Sequence, residues 1–287
     1  MSDPIRLFVL FVDELAAKIW KPILVDAAHA GGWDLLGGTV ENWSKMTDRC
    51  LILSDDPDWG IVVPAGQSAV IMTGPPQWEG HDLADPLEKD ALALASARLA
   101  KASALIEAGA VPVRGQDKHF TLADLISVTR TSEPLGIPIS RTSPLDIYKS
   151  LPPTSGAAAI WPAECLWYPV GEALDGGAPA MDLTGRARIL FHGPHIYLTP
   201  GVWRATFQIS VDPEGGVPPL RFEWKHGESA VVCDAPINQP GRYEISLERR
   251  WDVVGPSQIA GLINQAVFQG SLEVHDCKVE LLSTDPA

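Results

Sequence analysis

What this chain lacks narrows its class before any motif is read. Cysteine is scarce: Cys50, Cys165, Cys233 and Cys277 stand far apart, with no C-x-x-C pair and no cysteine–histidine ligand spacing. That distribution gives no sign of a zinc or redox motif and fits buried free thiols in a reducing compartment. Positive charge is in deficit: 22 Lys and Arg face 36 Asp and Glu, a formal charge of −14. A surface of that sign repels phosphate backbones and anionic lipid, which makes nucleic acid and anionic membranes poor partners. Long hydrophobic runs are missing too. The first apolar stretch, Leu7 to Val12, is six residues, whereas a membrane span takes ~20 and a secretory signal also needs a basic start. The expectation is no membrane insertion and a cytoplasmic location.

Chemistry-bearing motifs are equally sparse. Gly31-Gly32 and Gly37-Gly38 match neither the dinucleotide nor the P-loop glycine pattern, and no G-x-S-x-G elbow occurs. The reading is therefore no catalytic residue, no metal and no cofactor.

What the chain does have is period-2 alternation in its last third. Trp203, Ala205, Phe207, Ile209 and Val211 alternate with Arg204, Thr206, Gln208 and Ser210. Successive side chains of a pleated strand point to opposite faces, so this predicts an antiparallel strand with one dry and one wet face. Leu220, Phe222 and Trp224 repeat the pattern, as do Tyr243, Ile245 and Leu247. Turn signals at Gly193-Pro194, Pro200-Gly201, Gly215-Gly216, Pro240-Gly241 and Gly255-Pro256 divide residues 181–287 into seven or eight strands. Leu272 and Val274 share one parity and Cys277, Val279 and Leu281 the other, which predicts a bulge at His275-Asp276.

The fold class expected is α+β overall: a small α/β domain over 1–130, a proline-rich connecting segment over 131–180, and an antiparallel, jelly-roll-like β-sandwich over 181–287. In the first domain, Leu7–Val12 reads as a strand buried on both faces. A helix follows from Glu14 to about Ala30, disturbed by Pro22 and closed by Gly31-Gly32. Short strands are expected at Cys50–Leu53, Ile61–Val63 and Ala69–Thr73. Asp85, Pro86 and Glu88 open a long helix that Gly109 stops, and a shorter helix is expected from Thr121. Eight prolines between 131 and 180 exclude long regular elements there. Ile160, Trp161, Leu166, Trp167 and Tyr168 are too apolar for a free tether, so this segment is expected to pack across the domains.

The stretch DLTGRARILFHGPHIYLTPGVWRATFQISV, with QPGRYEISLERRW and FQGSLEVHDCKVELL after it, resembles the jelly-roll sandwiches called carbohydrate-binding modules. It is similar in particular to sandwich domains of bacterial polysaccharide-biosynthesis and glycosyltransferase-associated proteins. The resemblance spans Met181 to Leu282 and implies a glycan-related role without naming the glycan.

Sugar binding needs flat aromatic faces beside groups that hydrogen-bond hydroxyls. Among ten tryptophans, Trp203 and Trp224 are in phase with their strands' apolar faces and read as core. Trp251 follows Arg249-Arg250 and precedes Asp252; it reads either as a sugar platform with Arg250 and Asp252 or as an edge tryptophan covering the core. Tyr197, between His195 and the Thr199-Pro200-Gly201 turn, is the second platform candidate. His192 and His195 bracket Gly193-Pro194 but lack a third metal ligand nearby, so paired loop histidines are the favoured reading. Asp56-Pro57-Asp58 resembles the acidic motif of one glycosyltransferase fold, and a short acidic turn explains it as well.

The function expected is a non-catalytic carbohydrate-binding or polysaccharide-associated protein, its partner a glycan or another protein. Two alternatives stand beside it: an enzyme of glycan metabolism with chemistry around Asp55, Asp56 and Asp58, and an assembly protein whose sandwich binds only protein.

Overall fold

The apolar run at the start of the chain becomes the centre of a parallel sheet. The computed structural model describes residues 4–74, 76, 78, 82–130, 142–169 and 180–284. Its first elements are β1 (Ile5–Phe11), α1 (Glu14–Ala30), β2 (Asp34–Gly37), β3 (Arg49–Ser54), β4 (Ser68–Met72), α2 (Pro86–Glu107), β5 (Val111–Arg114), β6 (His119–Leu122) and β7 (Ile126–Thr129). β1 to β5 form a parallel sheet in the order β2-β3-β1-β4-β5. Leu7, Phe8, Val9 and Leu10 are all at 0% exposure, which is why this strand reads as an unbroken apolar run.

One face of the sheet, with Leu7, Val9, Leu51 and Ile71, packs on Trp20, Leu24 and Ala28 of α1 and on Phe120 and Val128 of the β6–β7 hairpin. Trp20 meets Phe120 edge-on at 5.3 Å between ring centroids. α1 starts on Asp13, whose side chain accepts from the Ala16 amide at 2.7 Å. It carries Pro22 within and ends at Gly31, with Gly32 left-handed. α2 starts where Asp85 accepts from the Leu87 amide at 2.9 Å and is closed by Gly109 at φ +109°.

Two sequence-based expectations are corrected here. Ile61–Val63 is no strand: Pro57–Ile61 is a 3-10 helix that leaves Ile61 exposed. Asp56 caps that helix through the Asp58 amide at 3.0 Å, and Pro57 sets its first turn. Nor does a helix start at Thr121. Ala123 and Asp124 have φ of +50° and +55°, a left-handed pair in the three-residue loop that joins β6 to β7 as a hairpin. Phe120, Leu122, Ile126 and Val128 are buried in alternation on either side of it.

The chain divides into two compact units, one of Met1–Pro76, Arg98–Ser140 and Tyr148–Pro152, the other of Gln77–Ala97, Arg141–Ile147 and Pro153–Ala287. The second unit holds β8 (Ala158–Pro162), β9 (Ala180–Asp182), β10 (Arg188–Leu198), β11 (Gly201–Asp212), β12 (Pro219–His226), β13 (Ser229–Pro236), β14 (Gly241–Trp251), β15 (Gly255–Ile263) and β16 (Ser271–Ser283). They form two antiparallel sheets, β10-β15-β12-β13 and β14-β11-β16-β8, with β9 added to β16. The inner faces meet in a dry layer where Phe207 and Phe222 rings are 6.0 Å apart. Trp203 and Trp224 are at 0% exposure, on the buried parity of β11 and β12.

The irregularity in the last strand is a bulge. Phe207 lies opposite Cys277 and Ile209 opposite Val274, so His275 and Asp276 together face Gln208. The proline-rich stretch also contributes: β8 pairs with β16, and Trp161 is buried with its indole N–H donating to the Pro144 carbonyl at 3.1 Å. The Gly176-Gly177 pair and residues 131–141 lie outside the described residues.

Candidate functional site

The outer faces of the two sandwich sheets differ in chemistry. On the β14-β11-β16 sheet the outward side chains pair with one another: Arg204 with Glu248 at 2.5 Å, Gln208 with Glu244 at 2.8 Å and Ser210 with His275 at 2.7 Å. That face presents no Trp, Tyr or Phe among its described side chains. The outer face at β10 is built differently.

β10 loses strict alternation. Its pairing with β15 shifts register between Ile189 and Phe191 and again between Pro194 and Tyr197. The second shift holds a cis Gly193–Pro194 bond and His195 at φ +60°. Register shifts of this kind re-aim side chains. Here they set His192, His195 and Tyr197 on the outer side, each half-buried. The segment before the sandwich then pairs with this strand. Trp167 N–H donates to the His192 carbonyl at 2.7 Å, and His192 N–H to the Trp167 carbonyl at 3.0 Å. The Trp167 ring stacks on His192 at 6.4 Å and 9° between planes, and His192 meets His195 edge-on at 5.8 Å. Gly193 is required at this point, because a Cβ there would stand 2.9 Å from Trp167 Cδ1.

The first half of α2 lies along the same cluster, within the same unit. Ser96 Oγ accepts from the Tyr197 amide at 2.9 Å. Lys89, 4% exposed, donates from Nζ to the Leu166 carbonyl and stands 5.0 Å from the Trp167 ring centroid. Burial lowers the Lys89 pKa, although the acidic groups Cys165, Asp82 and Glu164 nearby oppose it. Burial also lowers the pKa of both histidines; His195 and Lys89 add to the effect on His192, and Asp90 opposes it on His195. At neutral pH both rings are thus neutral, each offering one donor and one acceptor nitrogen. Nδ1 of His192 is buried with no hydrogen-bond partner. The adjoining Cys165 thiol is pushed up to about 12 by burial, so it is no nucleophile. Among the described residues no group of three His, Cys, Asp or Glu side chains could hold a metal ion.

The five side chains singled out in the sequence do not form one site. Tyr197 and His195 share the β10 cluster. Trp251 is 1% exposed and lies between the sheets, 4.8 Å from Trp224, so it presents no face to a sugar and the core-covering alternative describes it. Arg250 and Asp252 form a surface pair at 2.8 Å at the end of β14. Sequence reading missed Trp167 and Lys89, which reach the cluster from the connecting segment and from α2. The one local signal was the apolar group Leu166-Trp167-Tyr168 within proline-rich sequence.

The first unit holds a separate polar pocket of about 410 Å³ at the carboxyl ends of β1 and β3, lined by Asp13, Glu14, Lys21, Ser54, Asp55 and Arg98. β1 leads towards β2 and β3 leads to the opposite side of β1, the arrangement that opens a crevice in parallel sheets. Asp55 pairs there with Arg98 at 2.9 Å. Asp56 accepts from the Val40 and Asp58 amides, and Asp58 pairs with Lys101 at 2.5 Å, so the acidic motif is a helix cap and a surface pair.

No family model and no curated protein matches the chain. Parts of it are similar to solved β-sandwich domains. The CBM22-1 xylan-binding domain of Xyn10C from Paenibacillus barcinonensis is 8% identical, with a TM-score of 0.31 over 46% of this chain and 99% of that one. TmCBM61, solved with β-1,4-galactotriose, is 13% identical, with a TM-score of 0.29 over 43% and 88%. Rabbit GITRL is 13% identical, with a TM-score of 0.21 over 37% and 79%. Likenesses of this size carry no argument about function, which rests on the residues themselves. No helix among the described residues is long and apolar enough to cross a membrane.

Proposed function

We propose that the chain is a carbohydrate-binding protein and that the glycan docks on the outer face of the sandwich at Trp167, His192, His195 and Tyr197. One observation carries this reading: a half-buried aromatic and imidazole surface, in a sheet whose other outward rows are polar or aliphatic. Ring faces suit the C–H side of a pyranose, and neutral imidazoles exchange hydrogen bonds with hydroxyls without the desolvation cost of an ion. Asp90, an exposed residue of α2 whose charge reaches His195, adds an acceptor of the kind sugar hydroxyls favour. Nothing in the cluster is arranged as a nucleophile with a base, which supports binding without turnover.

The test is a broad glycan array probed with the full chain, followed by calorimetry on any glycan retained. Binding that is lost in Tyr197→Ala and kept in Arg250→Ala supports the site. Binding that survives loss of both Trp167 and Tyr197 side chains removes the cluster from it. A second reading, an enzyme of glycan metabolism, is favoured only by the pocket at β1 and β3 and its Asp13, Asp55 and Arg98 side chains. It predicts that a sugar nucleotide binds the chain and that Asp55→Asn weakens it; retention of affinity would dismiss it.

A further inference from the structure

Between the two sandwich sheets, near the turn from β14 to β15, hydrogen-bond donors are enclosed without acceptors. β14 aims Arg249 and Trp251 inward, on the same parity as Leu247; Arg249 is 8% exposed. The facing sheet supplies Trp224 from β12 and Ser257 from β15, both fully buried. The Arg249 guanidinium carbon stands 5.2 Å from the Trp251 ring centroid, and that ring is 4.8 Å from Trp224. Arg249 donates through Nη1 to the carbonyls of Trp224 at 3.1 Å and Ser229 at 3.0 Å, and through Nη2 to Ser229 Oγ at 2.8 Å. Four further atoms are buried with no hydrogen-bond partner: Arg249 Nε, Trp224 Nε1, Trp251 Nε1 and Ser257 Oγ. Three of the four can only donate.

No carboxylate pairs with Arg249 among the described residues. Asp252, the acid whose field reaches it, has its side chain 78% exposed and is held by Arg250. The Trp251 face offsets part of the guanidinium charge. It leaves a net positive, donor-rich enclosure, and buried donors and cations without partners cost free energy. His226 lies against Trp251 at 5.6 Å between centroids and accepts no side chain at 255, where a Cβ would stand 2.0 Å from its ring. Because the four unpartnered atoms are themselves buried, an ion held by them would have to shed most of its water, which favours a weakly hydrated monovalent ion over phosphate or sulfate.

We propose that this enclosure binds a small monovalent anion of halide chemistry, held by Arg249 Nε, the indole N–H groups of Trp224 and Trp251 and the Ser257 hydroxyl. The test uses the full chain in sodium gluconate, exchanged stepwise for sodium chloride or bromide at constant ionic strength. The thermal midpoint is expected to rise and saturate in either halide, since the ion binds the native state. Bromide is expected to quench part of the tryptophan emission along the same saturation curve. Arg249→Met should abolish both responses. Trp224→Phe keeps most of the ring volume, serves if the arginine variant fails to fold, and should weaken halide binding about tenfold through loss of one buried donor. Equal midpoints in gluconate, chloride and bromide would overturn the proposal. So would a halide response unchanged in Trp224→Phe, or a crystal grown in bromide that shows no anomalous scatterer beside Arg249.

Discussion

The parallel sheet of the first unit and the sandwich of the second bury similar residues by different rules. β1 is covered on both sides, so Leu7 to Leu10 follow one another and the sequence carries no facing information. β11 is covered on one side, so Trp203, Ala205, Phe207 and Ile209 alternate with polar residues and the inner face can be named in advance. The difference teaches where single side chains act. In the sandwich, stability is concentrated in inward aromatics and recognition is free to use the outer face. In the parallel unit, polar side chains at strand ends tie neighbouring elements together.

The largest effect should break the sandwich half of this comparison. Trp203→Ala and Trp251→Ala should each destabilise the second unit by ~3–5 kcal/mol, the usual cost of truncating a buried large aromatic. Denaturant unfolding read by circular dichroism measures it. A small loss in Trp251→Ala, accompanied by lost glycan affinity, would return Trp251 to the binding surface.

The corresponding change in the parallel unit is polar. Asp13 accepts from the Ala16 amide, the Thr73 amide at 2.8 Å and the Thr73 hydroxyl at 2.7 Å, so it caps α1 and joins the ends of β1 and β4. Asp13→Ala should cost ~2–3 kcal/mol. Asp13→Asn should recover part of it, and unfolding curves that match the wild type would show the bridge to be idle.

Acid should act on the outer-face cluster. His192 and His195 have depressed folded pKa values, so below about pH 6.5 the unfolded chain takes up protons first. Their contribution is complete above about pH 6.5 and is lost as the pH falls through the folded values. The charged groups facing them are Lys89, which adds repulsion, and Asp90, which opposes it. The thermal midpoint should fall on acidification from pH 7, with a shallower slope in the His192→Gln/His195→Gln double variant. Parallel slopes would contradict the assignment.

The smallest effect belongs to the exposed pair. Arg250→Ala should change stability by less than ~1 kcal/mol, as surface ion pairs do. A larger loss in the same unfolding assay would mean that this end of β14 is more buried than its exposure indicates.

Much of the sandwich was legible because alternation encodes facing, down to the bulge at His275-Asp276, where the parity change has no other solution. The hairpin at Ala123-Asp124 was not, because its turn residues are not the Asn-Gly type that announces a left-handed pair. The candidate site was half legible. His195 and Tyr197 lie on one strand beside visible turn residues. Trp167 and Lys89 come from segments 28 and more residues away, and only the strand-like bridge at His192 and the α2 contact at Ser96 bring them in. Trp251 misled because the charged neighbours Arg250 and Asp252 belong to the opposite face of the same strand end. Residue 251 itself shares its parity with Leu247.

The central claim is that the second unit binds glycan through its outer aromatic face. The most direct measurement is calorimetric titration of the full chain and of Tyr197→Ala with a glycan retained on the array. The variant should lose on the order of 1–3 kcal/mol of affinity, by analogy with aromatic stacking on bases, while its thermal midpoint stays close to that of the wild type. Unchanged affinity in the variant, or a wild-type chain that retains no glycan at all, would contradict the account.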